Sequence, residues 1–124
     1  GPHTTDLPLK DIVNLLFRIR AGAYLIEAAN ARHEHEWRVW EHVKLPEGKV
    51  LIPGGVSHAT NAVEHPDLVA DRILRFANLV GRENIIAGTD CGLGGRIHHQ
   101  LVWAKLKALS EGARLATRQL WGRA

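Results

Sequence analysis

Short apolar runs alternate with segments of helical spacing along this chain, and this alternation limits its possible folds more than any other feature. Three runs have the length of buried strands, at residues 23–28, 50–52 and 84–87. The second run is interrupted at residues 53–55 (Pro-Gly-Gly) and continues through residues 56–58 into a polar loop. Strands that alternate with helices form parallel sheets through right-handed crossovers. The sequence therefore predicts an α/β domain.

Four segments with helical spacing accompany these strands. Thr5 or Asp6 can cap the first segment, and Pro8 fits its first turn, where the missing N–H does no harm. The predicted helices cover residues 9–19, a short stretch at 37–43, a segment from Pro66 to the left-handed stop at Gly81, and a long segment from near Ile97.

The predicted sheet has two open edges. Three parallel strands are too few to close a barrel, which needs eight strands and about 250 residues. Open apolar edges pair with another chain or with further strands of the same protein. The chain also begins with Gly1 and contains no Met. We therefore expect a fragment, a processed product or a chain that associates with a partner or with itself.

Composition excludes several functional classes. The chain has 124 residues, 45% of them hydrophobic, which fits a single globular domain. Its 16 basic and 13 acidic residues are scattered, so nothing in the charge pattern favours nucleic acid as a partner. No apolar stretch reaches the about 18 residues that span a bilayer. The single cysteine, Cys91, cannot form a disulfide within the chain, and a cytoplasmic location is the default expectation.

Polar side chains of the kinds that catalyse reactions or bind metals follow each predicted strand. Glu27 and Asn30 come at the end of the first strand, His58 after the second, and Asp90 and Cys91 after the third. Loops at the carboxyl ends of parallel strands build the functional sites of α/β folds. The sequence therefore predicts that a carboxylate, an imidazole and a thiol share one rim of the sheet.

Simpler interpretations exist for two of these residues. Glu27 can equally be a buried carboxylate paired with an arginine such as Arg32. Cys91 can be a small buried hydrophobic residue, but its position in the glycine-rich loop 88–95 argues against that interpretation. The same loop could bind an anion through backbone N–H groups, although Ile97 stands where a dinucleotide fingerprint requires its third glycine.

Two histidines, His33 and His35, lie in a charged stretch at residues 32–37. Their i, i+2 spacing places both rings on one side of a strand but not of a helix, and it does not match a helical His-Glu-x-x-His zinc motif. A loop whose charged residues pair with one another explains the stretch more simply.

Several segments together resemble the carboxyl-terminal part of the catalytic barrel of cobalamin-independent methionine synthase. The most specific is Gly88-Thr89-Asp90-Cys91-Gly92-Leu93-Gly94. The other matching segments are residues 26–30, residues 53–58 with Glu64, Lys105-Leu106 and residues 111–113. Residues 1–3, 32–37 and 80–84 add a similarity to shorter, single-barrel relatives, which include epoxyalkane:coenzyme M transferase. The resemblance covers nearly all 124 residues.

This resemblance implies that residues 1–124 are the carboxyl-terminal fragment of one TIM (β/α)8 barrel, with about three βα units. It implies zinc-dependent transfer of an alkyl (methyl) group from a donor to a small-molecule thiol, which Zn²⁺ binds as the nucleophilic thiolate. By position, Glu27 and Cys91 match zinc ligands and His58 matches a general acid. We assign Asn30 and Asp90 to substrate binding.

The chain also departs from the family pattern. A histidine and a cysteine of the family's zinc site lie upstream of Gly1, so the chain alone should bind zinc weakly and be inactive. His33 or His35 could substitute for them. The acceptor can be homocysteine or, with epoxides as electrophiles, coenzyme M. The remaining alternatives are an anion-binding module at the Gly92 loop and a non-catalytic fragment that completes a barrel with a partner chain.

Overall fold

A three-stranded parallel sheet forms the centre of the fold. The structure is a computed structural model that describes residues 6–95 and 97–122, so residues 1–3 of the resemblance and the possible cap Thr5 lie outside it. The strands are β1 (Ala23–Ile26), β2 (Val50–Val56) and β3 (Gly88–Thr89), in the order β1-β2-β3. β2 pairs in parallel with both neighbours. The predicted α/β fold with a parallel sheet is confirmed.

Within the described residues, three α-helices and two 3₁₀ helices, one of them longer than the other, accompany the sheet. They are α1 (Leu9–Leu16), the 3₁₀ helix Glu34–Glu41, α2 (Pro66–Val80), the 3₁₀ helix Arg82–Asn84 and α3 (His99–Trp121). A histidine caps the N-terminus of each long helix. The Nδ1 atoms of His65 and His98 accept hydrogen bonds from the backbone N–H groups of Asp67 and Gln100.

Three predicted helices begin or end at other residues than expected, and the short one predicted at 37–43 is the 3₁₀ helix Glu34–Glu41. The first helix ends at Leu16 rather than at Ile19, because Arg18 and Ile19 form tighter turns to the carbonyls of Leu15 and Leu16. The last helix begins at His99, two residues after the predicted start.

The predicted interruption of the second strand was also wrong. β2 continues through Pro53, Gly54 and Gly55, and Pro53 pairs in register with Ile26. The glycines are there because neighbouring groups approach the backbone too closely for a side chain. A Cβ atom on Gly55 would lie 3.1 Å from Leu109 Cδ1, and Gly54 is still more confined, as described below.

The third strand lies later than predicted. Instead of residues 84–87, the strand is Gly88–Thr89, while Ile85 makes only an isolated bridge to Leu51. The register of β2 shifts between Gly54 and Val56, which moves the regular pairing toward the end of the segment. The expectation that the first strand is buried on both faces was wrong, because Leu25 at the open edge is 64% exposed.

The core contains two clusters, and α2 contributes residues to both of them. One joins α1 to the sheet and the long 3₁₀ helix and is centred on Val13, Tyr24 and Leu51. The other packs α2 and α3 against β2 and is centred on Val56, Val69 and Ala116. No helix in the described part of the chain has the length and apolar character needed to cross a membrane.

The contact between α2 and α3 gives a prediction about Gly112. An added Cβ would lie 2.5 Å from Val69 Cβ and 2.9 Å from the Pro66 carbonyl oxygen. Gly to Ala usually stabilises a helix interior by about 1 kcal/mol, but here overpacking should dominate and lower the free energy of unfolding by about 1–3 kcal/mol. We expect urea denaturation of Gly112→Ala to show this loss and the exposed control Ser110→Ala, in the same helix, to show none. A stabilised Gly112→Ala protein would contradict the packing.

Candidate metal centre

Three side chains meet at the carboxyl end of the sheet. Glu27 directly follows β1, His58 lies two residues after β2, and Cys91 lies two residues after β3. Because the strands are parallel, these positions share one rim, and ligand atoms from all three residues lie within 4.8 Å of one another. The structure thus brings together the carboxylate, the imidazole and the thiol that the sequence placed at this rim.

Within this group, Cys91 contacts Glu27 directly. Cys91 Sγ donates a hydrogen bond of 3.0 Å to Glu27 Oε1, and His58 Nδ1 lies 3.8 Å from the same oxygen. His58 is buried, whereas Cys91 is exposed. Tetrahedral zinc with ligands at 2.0–2.3 Å separates ligand atoms by about 3.3–3.8 Å, so this group needs only small adjustments to fit the ion. Carboxylate, imidazole and thiolate are all zinc ligands.

A buried carboxylate, that of Asp90, holds this rim in place. Asp90 Oδ1 accepts hydrogen bonds from the backbone N–H groups of Ala28 at 2.7 Å and Ala29 at 2.9 Å, and Oδ2 accepts one from Asn30 Nδ2 at 2.9 Å. Burial raises the pKa of Asp90, while these hydrogen bonds act in the opposite direction. The contacts tie the loop after β1 to the loop after β3, which places Glu27 beside Cys91.

Both residues predicted to bind substrate therefore contact each other. Asn30 and Asp90 are 7% and 3% exposed, and their side chains connect the two loops. Their role in substrate binding stays a prediction.

Gly54 allows Asp90 to take this position. A Cβ atom on Gly54 would lie 1.8 Å from Asp90 Oδ1, far closer than a carbon and an oxygen that are not bonded to each other can approach. Asp90 N–H also donates to the Val56 carbonyl oxygen at 3.0 Å. The glycines of β2 are thus the sequence signal of a buried side chain that crosses the strand.

A second group, which sequence reasoning did not find, lies on the other side of Glu27. His33 Nε2 is 2.6 Å from Asp6 Oδ2 and 3.4 Å from Glu27 Oε2, while its Nδ1 contacts Glu36 Oε1. Ligand atoms of Asp6, Glu27 and His33 also lie within 4.8 Å of one another. The predicted pairing inside the charged loop holds for Glu36, but Asp6 acts here instead of serving as the cap of α1. His35 and Arg32 are exposed.

The carboxylates around His33 change its protonation. Burial alone would lower the pKa of His33, but the hydrogen bonds to Glu36 and Asp6, with the charges of Glu36 and Glu27, raise it above the ordinary histidine value. Glu36 is itself fixed, because its Oε2 accepts a 2.6 Å hydrogen bond from the N–H of Leu9 at the start of α1.

Comparisons with known proteins agree with the fold. No protein-family model matches the sequence, and no curated protein matches it. Among solved structures, the chain is similar to a B12-independent methionine synthase from Shewanella sp. W3-18-1 in complex with selenomethionine, with a TM-score of 0.78 and 24% sequence identity. The match covers 91% of this chain and 31% of that chain. The chain therefore has the fold of part of a TIM-barrel methionine synthase domain and spans about a third of that protein's length.

The hydrogen bonds by which Asp90 holds the loop after β1, here called the Asp90 clamp, can be tested with the variant Asp90→Asn. The amide oxygen can still accept the N–H groups of Ala28 and Ala29, but the N–H₂ group would then face the Nδ2 donor of Asn30. At least one buried N–H would lose its acceptor, so we expect the free energy of unfolding to fall by about 1–3 kcal/mol. Urea denaturation measures the loss. Asp71→Asn, an exposed aspartate of α2, serves as the matched control and should unfold like the unchanged chain. Equal stability of both variants would contradict the clamp.

The raised pKa of His33 predicts a dependence of stability on pH in metal-free buffer. Because the folded state favours the protonated ring, its stabilising contribution is complete below the ordinary pKa of about 6.5 and is lost as the pH rises through the higher folded value. We expect the urea midpoint to fall as the pH rises above about 6.5, and His33→Gln to remove that part of the profile. His35→Gln, which changes an exposed ring, should leave the profile unchanged.

Proposed function

We propose that this chain is part of the catalytic barrel of a zinc-dependent enzyme that transfers an alkyl group, in the first instance methyl, to a small-molecule thiol. The observation that carries the proposal is the contact of Cys91 with Glu27, two residues that are 64 positions apart and that end on one rim of the sheet. The fold of a methionine synthase segment supports it. We infer membership of the cobalamin-independent methionine synthase family from the same two findings.

Each residue of the rim has a role in this proposal. Glu27 and Cys91 would hold the zinc, which when bound supplies a positive charge that keeps an acceptor thiol deprotonated. Glu27 Oε1 already accepts the hydrogen bond of the Cys91 thiol, and the proton that Cys91 would lose on binding the metal would pass to solvent, to which Cys91 is exposed. His58, buried 3.8 Å from that oxygen, would donate a proton to the group that leaves during transfer. Asn30 and Asp90 would border the bound thiol.

The rest of the site would come from other strands. A closed barrel needs eight strands, and β1 and β3 are both edges of this sheet. Apolar side chains are exposed beside them, as Leu25 (64%) and Ile86 (53%) illustrate. We propose that residues 1–124 lie in a single barrel domain whose other strands, on this or another chain, supply further zinc ligands. The isolated chain would then be inactive.

The neighbour's ligand supports a choice of acceptor thiol. The solved methionine synthase is in complex with selenomethionine, the selenium analogue of methionine. This favours homocysteine, the thiol that methylation converts to methionine, over coenzyme M as the acceptor in this chain. We place the reaction in the cytoplasm, where thiols stay reduced.

The zinc content of the chain tests this function. We expect the 124-residue chain to bind zinc weakly alone and tightly when mixed with the upstream half of the barrel. Cys91→Ala and Glu27→Gln should each weaken the affinity at least about 100-fold, because each removes a direct ligand. His58→Gln should keep the zinc but reduce methyl transfer by about 10²–10⁴-fold. Metal analysis after dialysis measures the bound zinc, and a thiol methylation assay measures methyl transfer.

The exposed glutamate variant Glu47→Gln is the matched control and should behave like the unchanged chain. Zinc retained equally by Cys91→Ala would show that the metal assignment is wrong. If the mixture forms a stoichiometric complex that holds no zinc and transfers no methyl group, the chain is a non-catalytic part of a barrel. Loss of zinc from His58→Gln would make His58 a ligand instead of the acid.

A further inference from the structure

A fully buried lysine lies behind the rim and has no part in the chemistry proposed above. Lys105, in the middle of α3, is 0% exposed. Its Nζ donates hydrogen bonds of 2.8 Å to Glu64 Oε1 and 2.7 Å to the Ala62 carbonyl oxygen. Burying both charges is costly, and apolar residues of similar volume often stabilise a fold as well or better. Stability alone therefore does not explain why Lys105 and Glu64 are buried together.

The second oxygen of Glu64 binds the backbone of Ser57, the residue before His58. Glu64 Oε2 accepts a 2.6 Å hydrogen bond from the backbone N–H of Ser57, and Ser57 Oγ accepts one of 3.0 Å from the N–H of Ala59. The backbone is thus held on both sides of His58. Since Ser57, His58 and Glu64 are all less than 10% exposed, water does not compete strongly for these contacts.

An arginine of α2 supports the same carboxylate. Arg72 NH1 lies 3.8 Å from Glu64 Oε2 and donates a 3.0 Å hydrogen bond to the Gly55 carbonyl oxygen of β2. The other side of its guanidinium pairs with Glu34 at 2.7 Å. Charges from α2 and α3 therefore converge on the end of β2, at the residue that precedes His58.

We propose that Lys105 is a positioning residue for His58. Through Glu64 it fixes the Ser57 peptide, and the fixed peptide holds the His58 imidazole beside Glu27. This inference rests on the proposed function in that it gives the general acid its orientation. Because a general acid must lie within hydrogen-bond reach of the atom that receives its proton, a loosely held His58 would slow proton donation without changing thiol binding.

The test compares Lys105→Met with the double variant Lys105→Met/Glu64→Leu. The single variant leaves a buried carboxylate without its cation and should lower the urea midpoint. The double variant removes both charges and should recover part of the lost stability, because the buried N–H of Ser57 still lacks its acceptor. We expect the double variant to show broadened or multiple ring signals for His58 in ¹H–¹³C NMR spectra, whereas the unchanged chain shows one set. His58→Gln assigns the signals.

Activity gives a second measurement. In the barrel completed with its upstream half, the double variant should lower kcat for methyl transfer about 100-fold and leave the KM for the thiol and the zinc content unchanged. Lys107→Met, which removes a lysine of the same helix that is 79% exposed, is the matched control and should change neither spectrum nor kcat.

A stable double variant with a single set of His58 signals and unchanged kcat would overturn the proposal, because Lys105 would then serve stability alone. If the double variant does not fold in buffer, the spectra are recorded in trimethylamine N-oxide, which favours the folded state. The spectra require neither zinc nor turnover. A failure of the zinc experiment therefore remains distinguishable from a failure of this one.

Discussion

One buried carboxylate organises the carboxyl end of this fold. Asp90 accepts the N–H groups of Ala28 and Ala29 across more than sixty residues of chain, and this brings the loops after β1 and β3 to a fixed separation. A carboxylate with so little exposure loses most of its hydration, so its hydrogen bonds must compensate. The glycine at position 54 is the matching constraint on β2, since any side chain there would displace Asp90. The contact between Glu27 and Cys91 depends on this arrangement.

The order of elements was predictable from the sequence because it depends on local pattern. Alternating strands and helices imply a parallel sheet, and the carboxyl ends of parallel strands meet, so the proximity of Glu27, His58 and Cys91 followed. The errors occurred where distant groups override local preference. Gly54 looks like a break because strands rarely contain glycine, but a side chain there would collide with Asp90.

The residues that hold Glu27 and His58 in place could not have been predicted in the same way. Asp6 and His33 are 27 residues apart, and Glu64 and Lys105 are 41 apart, so no periodicity or spacing connects them. Lysine is rarely buried, and a lysine in a helix is assigned to the surface by default. The one available signal was that Lys105 falls between the apolar positions Val102, Leu106 and Leu109 of an amphipathic helix, where a charge must either reach solvent or find a partner.

Glu27 shows how these supports act on the rim. Its two oxygens face different partners, Oε1 toward Cys91 and His58 and Oε2 toward His33. A carboxylate with both oxygens engaged has few rotamers, so Glu27 would offer a metal ion a ligand that is already oriented. Asp6 and Glu36 hold His33, and Glu64 holds the backbone before His58. In the proposed site, charged groups that would touch no metal therefore determine where its ligands would point, and they come from the segment before α1, from the stretch that begins at His33 and from the loop before α2.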